Sequence, residues 1–158
     1  MTEAQTSTPS GYRVVVGVDY SDLSRLALRT ALAAAEKRRG TLYALTVAEG
    51  YGPSLPKDLL DEDKRIFVEE ARRTLESYLE KQAALVLTDR SAVTIEFHAD
   101  IGDAADKIVA LSHAVNADLI VIGIAGKRAI TQTLVGSAAE RVMRATACSV
   151  LFVRPKTR

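Results

Sequence analysis

The chain has 158 residues, 47% hydrophobic and 26% charged, and a net charge of +1. That length suits one domain with a sizeable core, and the near-neutral balance supplies no bulk electrostatic drive toward nucleic acid or an anionic membrane. The lack of Trp argues against a base-stacking single-strand binder, the lone Cys148 excludes an internal disulfide or a multi-cysteine metal site, and no apolar run approaches the roughly 20 residues of a membrane span.

The first stretch, MTEAQTSTPSG, is polar and has no apolar signal core. It reads as a disordered tail over residues 1–10, ahead of a single domain over 11–158 in a cytoplasmic protein. RVVVGV, 13–18, is too apolar for a half-exposed strand and predicts one buried on both faces. In SDLSRLALRTALAAAEKRRG, Leu23, Ala27, Thr30 with Ala31, and Ala34 recur at helical spacing; Ser21 can cap the start and Gly40 can end it. TLYALTVAE predicts a second strand, and GYGPSLP, 50–56, a loop. A helix is expected from about Lys57 to Val86, with Phe67, Ala71, Leu75, Leu79, Ala83 and Val86 inward and EEARRTLE wet. AVTIEFHA, 92–99, predicts the third strand. Asp103 to Val115 predicts a helix, with Ala104, Ile108, Leu111 and Val115 inward. DLIVI predicts the fourth strand, Ser137 to Thr146 a helix, and SVLFVR, 149–154, the last strand, ended by Pro155.

Helices alternating with short, wholly apolar strands imply an α/β fold, a parallel sheet covered on both faces and doubly wound by right-handed crossovers. Ligands in such sheets sit beyond the carboxyl ends of the strands, where strand order reverses. There the fourth strand runs into GIAGKRAITQTLVGS, residues 123–137. Its glycines let a backbone take positive φ and let a ligand approach without a Cβ in the way. A helix entered through glycine presents free N–H groups to an anion, and Lys127 and Arg128 can neutralise phosphate charge. The stretch therefore reads as a phosphate cradle. Neither the Walker A spacing nor G-x-G-x-x-G occurs; the spacing present is G-x2-G-x9-G-[ST].

With that spacing in that place, the chain from about Tyr12 to Pro155 resembles the universal stress protein family, in its ATP-binding branch. VVVGVDYSDLSRLAL looks like the family's opening strand, Asp and following Ser; IGDAADKIV looks like its third strand–helix junction; ADLIVIG, LVGSAAERVMRAT and CSVLFVRP look like its closing third. The resemblance implies a five-stranded, Rossmann-like sheet in the order 3-2-1-4-5 and a homodimer. It implies that Asp19, with Gly17 and Val18, lies near the adenosine and the metal–phosphate edge, Asp19 facing Mg2+. Val47 would offer its backbone to adenine. Gly123, Gly126, Gly136, Ser137 and Ala138, with the neighbouring Ile122, would hold ribose and phosphates of ATP. The chain departs from the family at Ile124-Ala125-Gly126, where Ser-His-Gly is common, at 131–133, where an Arg is common, and at Ser149, where Pro is common.

Plainer readings stand beside these. SAAE, Ser137 to Glu140, is a capping box, so Ser137 can cap without touching a ligand. Lys127 and Arg128 can be a solvated loop. Asp19 at a strand end needs a reason if unpaired. His98 and His113 lack a partner pattern for metal or catalysis, and Cys148 reads as a small core residue. Asp19, Asp100 and Lys156 echo a phosphoacceptor receiver domain, but Tyr20 stands where that pattern needs a second acid. No acid–base pair, nucleophile elbow or metal cluster emerges. The function expected is a nucleotide-binding regulatory module switched by ATP, a homodimer through the last strand with an unidentified protein partner and no nucleic-acid or membrane partner. A slow ATPase or self-phosphorylating protein, with Ser137 as acceptor, and a dimeric interaction module without nucleotide are the alternatives.

Overall fold

The computed structural model describes residues 11–48, 60–124 and 137–156. In chain order they form β1 (Arg13–Gly17), α1 (Asp22–Lys37), β2 (Thr41–Ala48), α2 (Asp61–Val86), a 3-10 turn (Arg90–Ala92), β3 (Thr94–Ile101), α3 (Ala104–Ala114), β4 (Leu119–Gly123), α4 (Ser137–Ala145) and β5 (Ser149–Val153). The strands make one parallel sheet in the order β3-β2-β1-β4-β5, the order expected.

β1 lies at the centre, Val14 paired with Leu42 on one side and Leu119 on the other. Because successive strand residues face opposite ways, Val14 and Val16 enter a core with Leu28 and Leu32 of α1 and Leu75 and Leu79 of α2. Val15 enters the opposite core, with Ile108 of α3 and Val142 of α4. Burial on both faces holds for the heart of the sheet; the outermost strands β3 and β5 are half-exposed, since each has one neighbour and helix cover on the sheet's middle. Among the described residues no helix is long and apolar enough to cross a membrane.

Several predicted boundaries move for local reasons. The first strand ends at Gly17, leaving Val18 beyond it, and β2 ends at Ala48. The stripe of α1 is rotated: Ser24, Ala27, Leu28, Ala31, Leu32 and Ala35 are buried, while Leu23 and Ala34 are half-buried. Its end is set by Arg39, at φ 50°, with Arg39 N–H donating to Glu36 O and Gly40 N–H to Ala35 O. That is a Schellman turn with Arg in the left-handed place. Gly40 is needed for a different reason: a Cβ there would collide with the Tyr12 carbonyl. The start of α2 is Asp61; Lys57 lies outside the described residues. Its inward stripe reaches the core through Leu75, Leu79 and Ala83, while Phe67, Ala71 and Val86 are half-buried. β3 starts two residues late because Asp89 caps the 3-10 turn, accepting from Ser91 N–H at 2.9 Å. Asp103 and Val115 cap α3 rather than belong to it. Asp118 precedes β4, its carboxylate taking the Arg13 N–H at 2.8 Å.

Candidate functional site

The carboxyl ends of β1, β2 and β4 open on a cleft of about 240 Å³. Its walls include Gly17, Val18 and Asp19 after β1, Leu45 and Val47 of β2, and Val121, Ile122 and Gly123 of β4. Seven predicted residues thus meet at one place: Gly17, Val18, Asp19, Val47, Ile122, Gly123 and Ala138. Gly126, Lys127, Arg128 and Gly136 lie outside the described residues, as does the side chain of Ser137, the first residue of α4. The described walls enclose less than the roughly 300 Å³ at which small-molecule clefts usually begin. Gly123 and Ala138, the cleft residues on either side of 125–136, both line it.

Three helices begin at the cleft. α1 contributes Ser21, Leu23 and Ser24, α3 contributes Ala104, and α4 contributes Ala138, each from its start. Helix N-termini carry partial positive charge and outward N–H groups, so three aimed at one cleft favour an anion there.

Asp19 is not an unpaired acid. Its Oδ1 accepts the Ser21 N–H at 2.9 Å, and its own N–H donates to Ser24 Oγ at 3.3 Å. Ser21 Oγ in turn accepts the Ser24 N–H at 3.2 Å, the cap of α1. Burial pushes the Asp19 carboxyl up, but the hydrogen bonds from Ser21 and Ser24 together hold it below the usual aspartate range. It is therefore ionised at neutral pH. Part of the reason for an acid at this strand end is the turn itself.

Two of the predicted glycines, Gly17 and Gly123, are also closely packed. A Cβ on Gly123 would lie 2.6 Å from the Leu23 carbonyl oxygen, which is backbone and cannot step aside. One on Gly17 would meet Ile108 Cδ1 at 2.9 Å, the mobile end of a side chain.

The sequence reading missed the second wall. Ser24, Ile108 and Ala104 line the cleft but were read only as helix residues. Ser24 carried a signal: a serine, 7% exposed, inside the stripe that continues through Ala27 and Ala31. The other singled-out residues are elsewhere. Asp100 pairs with Lys107 at 3.0 Å, and neither it nor Lys156 lines the cleft, so the receiver-like trio is not assembled. Glu140 takes Arg144, at 2.9 Å. His113 is exposed on α3. Cys148 is half-buried beside the α3–α4 core, its Sγ 3.2 Å from Thr146 Oγ1. Among the described residues no group of three His, Cys, Asp or Glu could hold a metal ion.

The sequence model described as "Universal stress protein family" matches residues 12–154. A universal stress protein of Methanocaldococcus jannaschii is 28% identical over 147 residues, covering 90% of this chain and 81% of that one. The crystal structure of a universal stress protein in complex with cAMP is 27% identical with a TM-score of 0.63, covering 92% of this chain and 98% of that one. The universal stress protein from Archaeoglobus fulgidus in complex with dAMP is 26% identical with a TM-score of 0.59, covering 89% and 96%.

Proposed function

The chain belongs to the universal stress protein family, and from that premise we propose that it is an ATP-binding member, a nucleotide-dependent regulatory module of a stress response that works as a homodimer. The observation that carries the reading is the convergence of the first turns of α1, α3 and α4 on the cleft that Asp19, Val47 and Gly123 also line. A purine fits the apolar floor of Val18, Leu45, Val47 and Ile108, and phosphates fit the helix starts. The cAMP and dAMP complexes of similar proteins support an adenine nucleotide as the ligand class. Gly126, Lys127, Arg128, Gly136 and Ser137 belong to this reading as the phosphate cradle, since their stretch starts and ends at the cleft.

Mg2+ fits the residues only as a guest of the phosphates. With no cluster of protein ligands among the described residues, the ionised Asp19 would hold it from the protein side, one oxygen already engaged by Ser21. That suits an ion usually bound through one or two carboxylates plus phosphate and water. The metal would neutralise phosphate charge; Asp19 would orient it.

The homodimer rests on β5. Among the described strands it is an edge, paired with β4 alone, and its Leu151 is exposed, as is Met143 of α4. An apolar edge needs cover, and a second copy supplies it. A cytoplasmic protein with an effector protein as partner, and neither nucleic acid nor membrane, completes the proposal.

The test is to denature the purified protein and identify any released nucleotide by mass. Adenine nucleotide at near-stoichiometric yield is expected. A protein that releases none and gives no calorimetric signal with Mg-ATP would end the reading. Sedimentation showing only monomer at micromolar concentration would end the dimer.

A further inference from the structure

Tyr20 stands between two cleft residues, Asp19 and Ser21, and its backbone is left-handed, φ 65°. A bulky residue in that region is an outlier with a cause to be found. The other described non-glycine residues with positive φ, Arg39 and Asn116, each close the C-terminal turn of a helix, where that conformation is common. Tyr20 closes no helix; it precedes the N-cap of α1.

The turn around it is made by its neighbours. Ser21 N–H donates to Asp19 Oδ1, Asp19 N–H donates to Ser24 Oγ, and Ser24 N–H donates to Ser21 Oγ. None of these bonds uses the Tyr20 side chain, and glycine would take the same backbone without strain. The ring is engaged elsewhere. It meets Tyr78 of α2 edge to face, centroids 5.0 Å apart and planes at 80°, the arrangement aromatic quadrupoles favour. Its hydroxyl interacts with Thr46, a buried residue of β2. Neither Tyr20 nor Tyr78 is among the residues lining the cleft.

We propose that Tyr20 is a positioning residue whose ring, held by Tyr78, clamps the Asp19–Ser21 turn in its left-handed form, so that α2 sets the ligand affinity of a cleft it does not line. The affinity half rests on the nucleotide reading above; the clamp does not. Remove Tyr78 and the ring keeps only the contact of its hydroxyl with Thr46, the Tyr20 backbone relaxes toward negative φ, and Asp19 and Ser21 turn away from their places together.

The test uses Tyr78→Ala, Tyr20→Gly and the double variant in the full chain, each checked by thermal melting. Tyr78→Leu, which keeps apolar bulk without the aromatic edge, replaces Tyr78→Ala if that variant fails to fold. Two quantities are read: Mg-ATP affinity by calorimetry, and hydrogen exchange of the Ser21 amide in the ligand-free protein. Tyr78→Ala should speed Ser21 exchange about tenfold and weaken Mg-ATP about fivefold. Tyr20→Gly should keep affinity within about threefold, because glycine holds positive φ unaided. Adding Tyr78→Ala to Tyr20→Gly should then change neither quantity. A general loosening of the fold would instead make Tyr78→Ala act equally in both backgrounds, and that result overturns the clamp, as does Ser21 exchange unchanged by Tyr78→Ala. If the wild type itself binds no Mg-ATP, the nucleotide reading fails, and the exchange data alone decide the clamp.

Discussion

Arg141 of α4 places a guanidinium nitrogen 2.7 Å from Asp103 Oδ2, while the other oxygen of that carboxylate accepts the Asp106 N–H at 3.0 Å and caps α3. One acid thus ties the start of α3, which opens on the cleft, to the middle of α4, and Arg141 extends the tie to Asp106 at 3.5 Å. The hydrogen bond from Arg141 holds the Asp103 carboxyl below the usual range, so the pair is charged at neutral pH.

Cap and ion pair can be separated. Asp103→Asn keeps a capping oxygen and loses the charge; Asp103→Ala loses both. The melting temperature should fall in the order wild type, Asn, Ala. Because the pair is exposed to solvent, rising ionic strength should bring wild type toward the Asn variant. Asn and Ala variants melting together would show that the cap contributes nothing.

Gly123 and Gly17 make opposite predictions for the same substitution. Gly123→Ala drives a methyl against the Leu23 backbone and should destabilise by about 2 kcal/mol. Gly17→Ala meets a side-chain methyl that can swing aside and should cost under about 1 kcal/mol. Chemical denaturation measures both. Equal losses would mean that α1 can slide away from β4.

Asp19 has a turn role and a proposed charge role. Asp19→Asn keeps an oxygen for the Ser21 N–H and removes the charge, whereas Asp19→Ala removes both. Both should weaken Mg-ATP about tenfold, roughly 1.4 kcal/mol, and the Ala variant alone should also melt lower. Calorimetry giving wild-type Mg-ATP affinity for the Asn variant would remove the charge role.

Glu69 on α2 supplies a pH signature. Arg72 donates to both its oxygens, at 2.9 and 3.0 Å, and these bonds hold its carboxyl down to about 2 from an ordinary 4.5. A depressed carboxylate lends stability above its unfolded value and loses it as pH falls through the folded one. Melting temperature should therefore decline from about pH 4.5 toward 2, and Glu69→Gln should flatten that decline. Parallel pH curves for the two proteins would show that the network on this exposed face adds no stability.

The order of elements, the parallel sheet and the end of the sheet where the cleft opens were legible in the sequence, because they follow from local periodicity. RVVVG cannot be half-wet, Ala27 and Ala31 lie a helical turn apart, and a strand must carry its ligand beyond its carboxyl end. Gly123 follows the fourth strand to that edge, and the family resemblance added Asp19 and Val47 at the ends of the first and second. What the tertiary structure decided is which groups face one another across the edge. Gly123 is bare because the Leu23 carbonyl, a hundred residues earlier in the chain, lies against it. Ile108 and Ser24 reach the cleft only once α3 and α1 have docked on opposite faces of β1. Tyr20 meets the Tyr78 ring of α2, and Asp103 finds Arg141, only through the packing of helices far apart in the chain. Periodicity describes how a segment repeats along itself; these contacts depend on strand register and on where each helix rests on the sheet, which no single segment encodes.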